Sequence, residues 1–238
     1  MTISIFLFLF LSAVVSGLTA FLFDRKNKTL LKLLLAFSGA YLFAICVLHL
    51  IPEIYTSAKD AIGVYILIGF FLQILLEYLS EGIEHGHVHI HKNRAHNFPV
   101  AIMLSLCVHS FLEGMPLAKL DSGSYNSLLV GIILHNIPVA LALTTMMIES
   151  NVKRKQVVSM LVVFAAMAPL GAFCSYLISD SLLGDISIYF DKIIAVVIGI
   201  FLHISTTILF ESSENHRFNL LKFATIVVGA IAAWLFSF

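Results

Sequence analysis

Charge is what this 238-residue chain has least of: 12% of its residues are Asp, Glu, Lys or Arg, while 60% are hydrophobic and mean hydropathy is +0.99. A soluble domain carries roughly 25% charged residues, so a water-facing globule is excluded. Acidic and basic residues balance at 14 each, and without a basic surplus there is no electrostatic basis for binding nucleic acid. Cysteine is scarce. Cys46, Cys107 and Cys174 stand in separate apolar stretches with no CxxC spacing, and read as small core residues rather than a disulfide framework or thiolate site. No H-E-x-x-H occurs and no nucleophile is paired with a base. An intramembrane zinc protease is thereby disfavoured, and no enzyme or catalytic cofactor is expected.

What the chain has in abundance is apolar run. Stretches long enough to cross about 30 Å of hydrocarbon as helices fall at roughly 3 to 23, 29 to 51, 61 to 80, 98 to 118, 127 to 148, 157 to 178, 190 to 210 and 219 to 237. They predict an all-α polytopic membrane protein of eight transmembrane helices. The first run starts without a basic region and is followed by Asp24, Arg25 and Lys26, which fits a retained helix better than a cleaved signal peptide. No linker or shift in composition divides the chain, so residues 1–238 read as one transmembrane helical domain with a His-rich loop at about 82–97. Eleven of the fourteen basic residues flank the odd-numbered connections, leaving Lys59, Lys119 and Lys192 on the other side. The positive-inside rule then puts those connections in the cytoplasm and both termini outside.

Two polar clusters interrupt the apolar runs: His109-Ser-Phe-Leu-Glu113-Gly-Met-Pro116 in the fourth span and His135-Asn136-Ile-Pro138 in the fifth. An ionisable group at the centre of a bilayer helix costs about 2.5–3.5 kcal/mol on insertion scales, which marks these clusters as a working site. The two histidines fall near mid-span. Glu113, four residues on, shares the helix face of His109 and lies about 6 Å further outward, level with His135 on the antiparallel fifth helix. Two imidazoles and a carboxylate converging between helices suit a borderline divalent ion such as Zn²⁺ or Fe²⁺. Ser110 and Asn136 could add oxygen ligands, and Pro116 and Pro138 each free a backbone carbonyl one turn back. The alternative for either histidine alone is an ordinary interhelical hydrogen-bond donor.

Four further features carry two readings each. His203, in the seventh span, is followed by Ser205, Thr206 and Thr207, whose hydroxyls commonly bond back to their own helix. Glu77 reads as a solvated charge near the inner end of the third span. His49 and Glu53 share a face at the outer end of the second span, as a candidate intake site for metal or as simple helix-end charges. His85, His87, His89 and His91, followed by His96, alternate along the third connection. Such a tract chelates metal weakly and is a candidate for cytoplasmic metal capture, against the reading of a solvated linker.

The chain resembles the ZIP (Zrt/Irt-like) divalent metal-ion transporters, of compact bacterial type, over nearly its whole length. The most specific marks are His109-Ser-Phe-Leu-Glu113-Gly and the His135-led cluster. Phe43-Ala-Ile-Cys-Val-Leu-His49-Leu-Ile-Pro52-Glu53, Ala168-Pro169-Leu170-Gly171 and Gly199-Ile-Phe-Leu-His203 support it, as does the position of the histidine tract. The resemblance implies eight helices in a 3+2+3 arrangement with both termini extracytoplasmic, the outer triplets forming a repeat around the central two. It also implies a central metal path with His109, Glu113 and His135 as main ligands and Ser110 and Asn136 as lesser ones. Members with a two-metal site place a glutamate where this chain has Val139, so one ion is expected. His203 stands where an aromatic residue is expected, so no ligand role is carried over to it.

The expectation is therefore an importer of divalent metal, zinc first and iron or manganese as alternatives, in a bacterial inner membrane, working by alternating access at a midplane site. Protonation of the ligands should weaken uptake in acid. Its partners would be the metal and the bilayer, with a homodimer as a candidate assembly. The rival readings are a haem-binding membrane cytochrome with His109 and His135 as axial pair, and a metal sensor that moves no ions.

Overall fold

Long apolar runs with few helix breakers become helices, because a helix satisfies its own backbone hydrogen bonds without water. The computed structural model describes residues 3–22, 28–57, 61–85, 100–118, 122–179, 187–210 and 220–236, and among them every regular element is helical. In chain order these are α1 (Ile3–Thr19), α2 (Lys28–Ile45), a π-turn (Cys46–Leu50), α3 (Ile51–Ser57), α4 (Ile62–Ser80), a 3₁₀ turn (Ile83–His85), α5 (Val100–Gly114), a 3₁₀ turn (Met115–Ala118), α6 (Ser122–Glu149), α7 (Arg154–Ser179), α8 (Ser187–Phe210) and α9 (Leu220–Leu235). Among the described residues, six helical stretches are long and apolar enough to cross a membrane: Thr29–Thr56, Ile62–Ser80, Val100–Leu117, Asn126–Glu149, Arg154–Leu177 and Phe190–Phe210. The first and last helices are apolar but shorter, at 17 and 16 residues.

Prolines shape the interruptions. Pro52 has no N–H to give to the preceding turn, and just before it the helix widens so that the Ile51 N–H reaches the Cys46 carbonyl, a five-residue step. That π-turn joins α2 to α3 as one continuous stretch. Pro116 lies where α5 tightens into its 3₁₀ tail. Pro138 lies inside α6, where it deprives the Leu134 carbonyl of its helical donor one residue before His135.

The helices pack most closely in four pairs, α4 with α8, α2 with α9, α5 with α7 and α1 with α6. Numbering the helical segments one to eight, with α2 and α3 counted together, exchanging the first three with the last three and the fourth with the fifth maps each pair onto another. Two pairs are held by reciprocal glycines. A Cβ on Gly69 of α4 would strike the Val196 carbonyl of α8, and one on Gly199 of α8 would strike the Ile66 carbonyl of α4. Gly114 of α5 and Gly171 of α7 stand in the same relation to the Ala168 and Phe111 carbonyls. With lipid as apolar as the side chains, such close backbone approach supplies the packing that hydrophobicity cannot.

Burial follows from that pairing. On α4 the inward face is Gly69, Gln73, Leu76 and Ser80, at helical spacing, while Leu67, Phe71, Leu75 and Tyr78 are exposed. On α5 the buried face is Ile102, Ser105, Leu106, His109, Ser110, Glu113 and Gly114. The most polar stretch of α5 thus faces the interior.

Candidate metal site

The helical spacing of α5 places His109 and Glu113 one turn apart, and His109 Nε2 lies 3.2 Å from Glu113 Oε1. From α6, His135 Nε2 comes within 3.7 Å of the same oxygen. The two imidazole rings stand edge to face, centroids 5.9 Å apart and planes inclined at 80°. One donor atom from each of the three residues lies within 4.8 Å of the others, the only such group of three among the described residues, and all three side chains are fully buried.

Burial makes this arrangement costly without a cation. The effective penalty for removing a carboxylate from water is several kcal/mol, and neither oxygen of Glu113 has a hydrogen-bond donor among the described residues. The nitrogen and oxygen set is what a borderline divalent ion takes. Ser110 and Asn136, each beside a cluster histidine, are also buried, and the Asn136 side-chain oxygen has no hydrogen-bond partner among the described residues. Val139, one turn after His135, is fully buried in an apolar cluster with Leu106, Leu143 and Leu161.

Outside the donor triad, a polar chain runs to the end of α4. His109 Nδ1 lies 3.2 Å from Gln73 Oε1, and Gln73 Nε2 lies 3.4 Å from Glu84 Oε1. The Ser80 hydroxyl donates to the other Glu84 oxygen, and the Ser105 hydroxyl of α5 donates to the Leu76 carbonyl of α4. Gln73 and Glu84 escaped the sequence reading. The available signal was a lone amide, Gln73, on an apolar helix, seven and eleven residues before Ser80 and Glu84 at helical spacing.

The other predicted residues lie apart from the triad. His49 falls in the π-turn and Glu53 on α3, both half-buried, and neither joins a group of three metal-ligating side chains among the described residues. Glu77 is not merely a solvated end charge. Its Oε2 lies 3.4 Å from His203 Nδ1 across the α4 and α8 contact, and the Phe70 ring meets His203 edge-on at 4.9 Å. The Thr206 hydroxyl bonds back to the Leu202 carbonyl, as expected of a membrane helix. His87, His89 and His91 lie outside the described residues, and His85 closes the 3₁₀ turn that follows α4.

The profile of the ZIP zinc transporter family matches residues 85–236, more than half of the chain and including the whole donor triad. The chain belongs to the ZIP zinc transporter family. Among individual relatives, zinc transporter ZIP9-B of Xenopus laevis is 29% identical over 120 residues, which is 49% of this chain and 40% of that protein. Zinc transporter ZIP9 of Xenopus tropicalis and that of Micropogonias undulatus are each 28% identical over 120 residues. The matched stretch thus spans about two fifths (40%) of the first of these relatives. As a ZIP family member with six long apolar helices, the chain is an integral membrane protein.

Proposed function

We propose that this ZIP family chain carries a divalent metal ion, zinc first and iron or manganese as alternatives, across a bacterial inner membrane into the cytoplasm. His109, Glu113 and His135 hold the ion at mid-membrane, and Ser110 and Asn136 exchange with its waters. The observation that carries the reading is the buried triad: three donors within 4.8 Å, with a carboxylate that no donor satisfies. Zinc is favoured by the nitrogen and oxygen donor set and by the names of the family and relatives.

Direction rests on the basic residues, which place both termini outside in an eight-span topology. Metal enters past His49 and Glu53, reaches the triad and leaves towards the His85 to His91 tract. The exchange symmetry of the helix pairs supports alternating access, in which inverted halves of a transporter rock about a fixed site. Val139 leaves the site with a single carboxylate, so one ion is carried at a time. A homodimer is the proposed assembly. The haem alternative loses support because the Glu113 oxygen stands against both Nε2 atoms, in space a macrocycle would need.

The test is metal uptake by the purified protein in liposomes, with zinc, iron and manganese compared. Uptake should be fastest with zinc and should disappear in a folded Glu113→Ala variant. Undiminished uptake by that variant would refute the site. Binding without uptake by the unaltered chain would make it a sensor.

A further inference from the structure

We infer that Gln73 and Glu84 act together as positioning residues for His109, holding its imidazole with a proton on Nδ1 so that Nε2 is the nitrogen that faces Glu113 and His135. The effect on binding rests on the proposed metal site. The position of that proton is a property of the protein alone.

The constraint propagates from Glu84. Its carboxyl group is fully buried, and its two oxygens accept from the donors around it. One oxygen takes the Ser80 hydroxyl, and the other lies 3.4 Å from Gln73 Nε2, so the amide NH₂ of Gln73 is committed to it. The amide oxygen then points the other way and sits 3.2 Å from His109 Nδ1. An amide oxygen cannot donate, so this nitrogen carries the proton.

With Nδ1 engaged by Gln73, Nε2 is the nitrogen presented to the site, 3.2 Å from Glu113 Oε1. The flipped amide would set oxygen against carboxylate and NH₂ against Nδ1. Gln73 is also fully buried, and a mismatch of two buried acceptors costs the desolvation of each. Partners that fix a ligating histidine through its second nitrogen commonly change metal affinity about 10–100-fold. Here that partner lies on α4, and its own anchor lies in the 3₁₀ turn that leads into the histidine tract.

The experiment uses full-length, metal-free protein labelled with ¹⁵N-histidine, with His85, His87, His89, His91 and His96 changed to Ser to remove competing signals and sites. The His109 resonances are identified by their loss in His109→Asn, and zinc affinity is measured on the same samples. The unaltered site should show a proton on Nδ1. Gln73→Leu should shift His109 towards the Nε2–H form and weaken zinc binding about 10–100-fold. The double variant Gln73→Glu/Glu84→Gln keeps an acceptor facing Nδ1 and a donor behind it, and should restore both readouts.

An Nε2–H tautomer in the unaltered chain, or no change in Gln73→Leu, overturns the inference whatever the zinc affinity. So does a folded double variant that behaves like Gln73→Leu, because the two residues would then serve packing alone. If the tautomer responds as stated while zinc binds none of the proteins, the positioning stands and the metal-site reading falls.

Discussion

The molecule holds two histidine–glutamate pairs of nearly equal length and different chemistry. His109 and Glu113 lie 3.2 Å apart with both side chains at 0% exposure, whereas His203 and Glu77 lie 3.4 Å apart with 10% and 24% exposed. A second imidazole, from His135, joins the first pair, while Phe70 closes on the edge of His203. Separation alone therefore says little about role. What separates the pairs is how many donors converge and how completely water is removed. A partly wet pair contributes about 0–1 kcal/mol, while breaking a buried charge arrangement costs about 3–5 kcal/mol.

That contrast is broken most directly by removing one histidine from each region. His135→Ala should weaken zinc binding by about 10²–10³-fold, the equivalent of about 3–4 kcal/mol. His203→Ala should weaken it less than about fivefold. Calorimetric titration of the two variants, with the loop histidines removed, gives both numbers. Equal losses would mean that the α4 and α8 pair belongs to the binding site and that burial does not rank the two regions.

The apolar runs foretold each of the long helices that are described, because in lipid an uninterrupted apolar segment has no other way to satisfy its backbone. The run at 29 to 51 falls short of the C-terminal end of its helix, since the π-turn before Pro52 lets the helix continue through Ser57. The triad was legible because its information is local. His109 and Glu113 share a face by helical spacing, and span depth set His135 level with them. Contacts fixed only by helix pairing were not legible. Glu77 meets His203 because Gly69 and Gly199 bring α4 onto α8, and no spacing within one helix encodes that register. Gln73 and Glu84 escaped for the same reason, since their meaning depends on α5 lying beside α4.

Val139 offers a way to sharpen the comparison by adding a carboxylate to the buried site. Two cations about 4 Å apart repel by several kcal/mol per pair of unit charges at an effective dielectric near 20, and Glu113 alone is left to offset that. Anomalous scattering from crystals of loop-deleted protein should show one ion between α5 and α6. Val139→Glu should admit a second, and because Val139 is fully buried, this variant should also unfold at lower temperature without zinc than with it. Two ions in the unaltered chain would require Ser110 and Asn136 as ligands of the second.

The smallest effect is expected at the histidine tract. His85, His87, His89 and His91 alternate in a connection with no apolar run around them, a pattern whose binding gains only from chelation. They also follow the triad on the proposed route inward, after the step that strips water from the ion. Changing all four to Ser should therefore slow zinc uptake into liposomes only a few-fold, with zinc affinity at the triad unchanged, while the released zinc is captured less well on the proposed cytoplasmic side. The decisive comparison is with Glu113→Ala in the same assay. If the four-serine variant lost uptake as completely, the tract would be part of the path, and capture would be as essential as the buried site that precedes it.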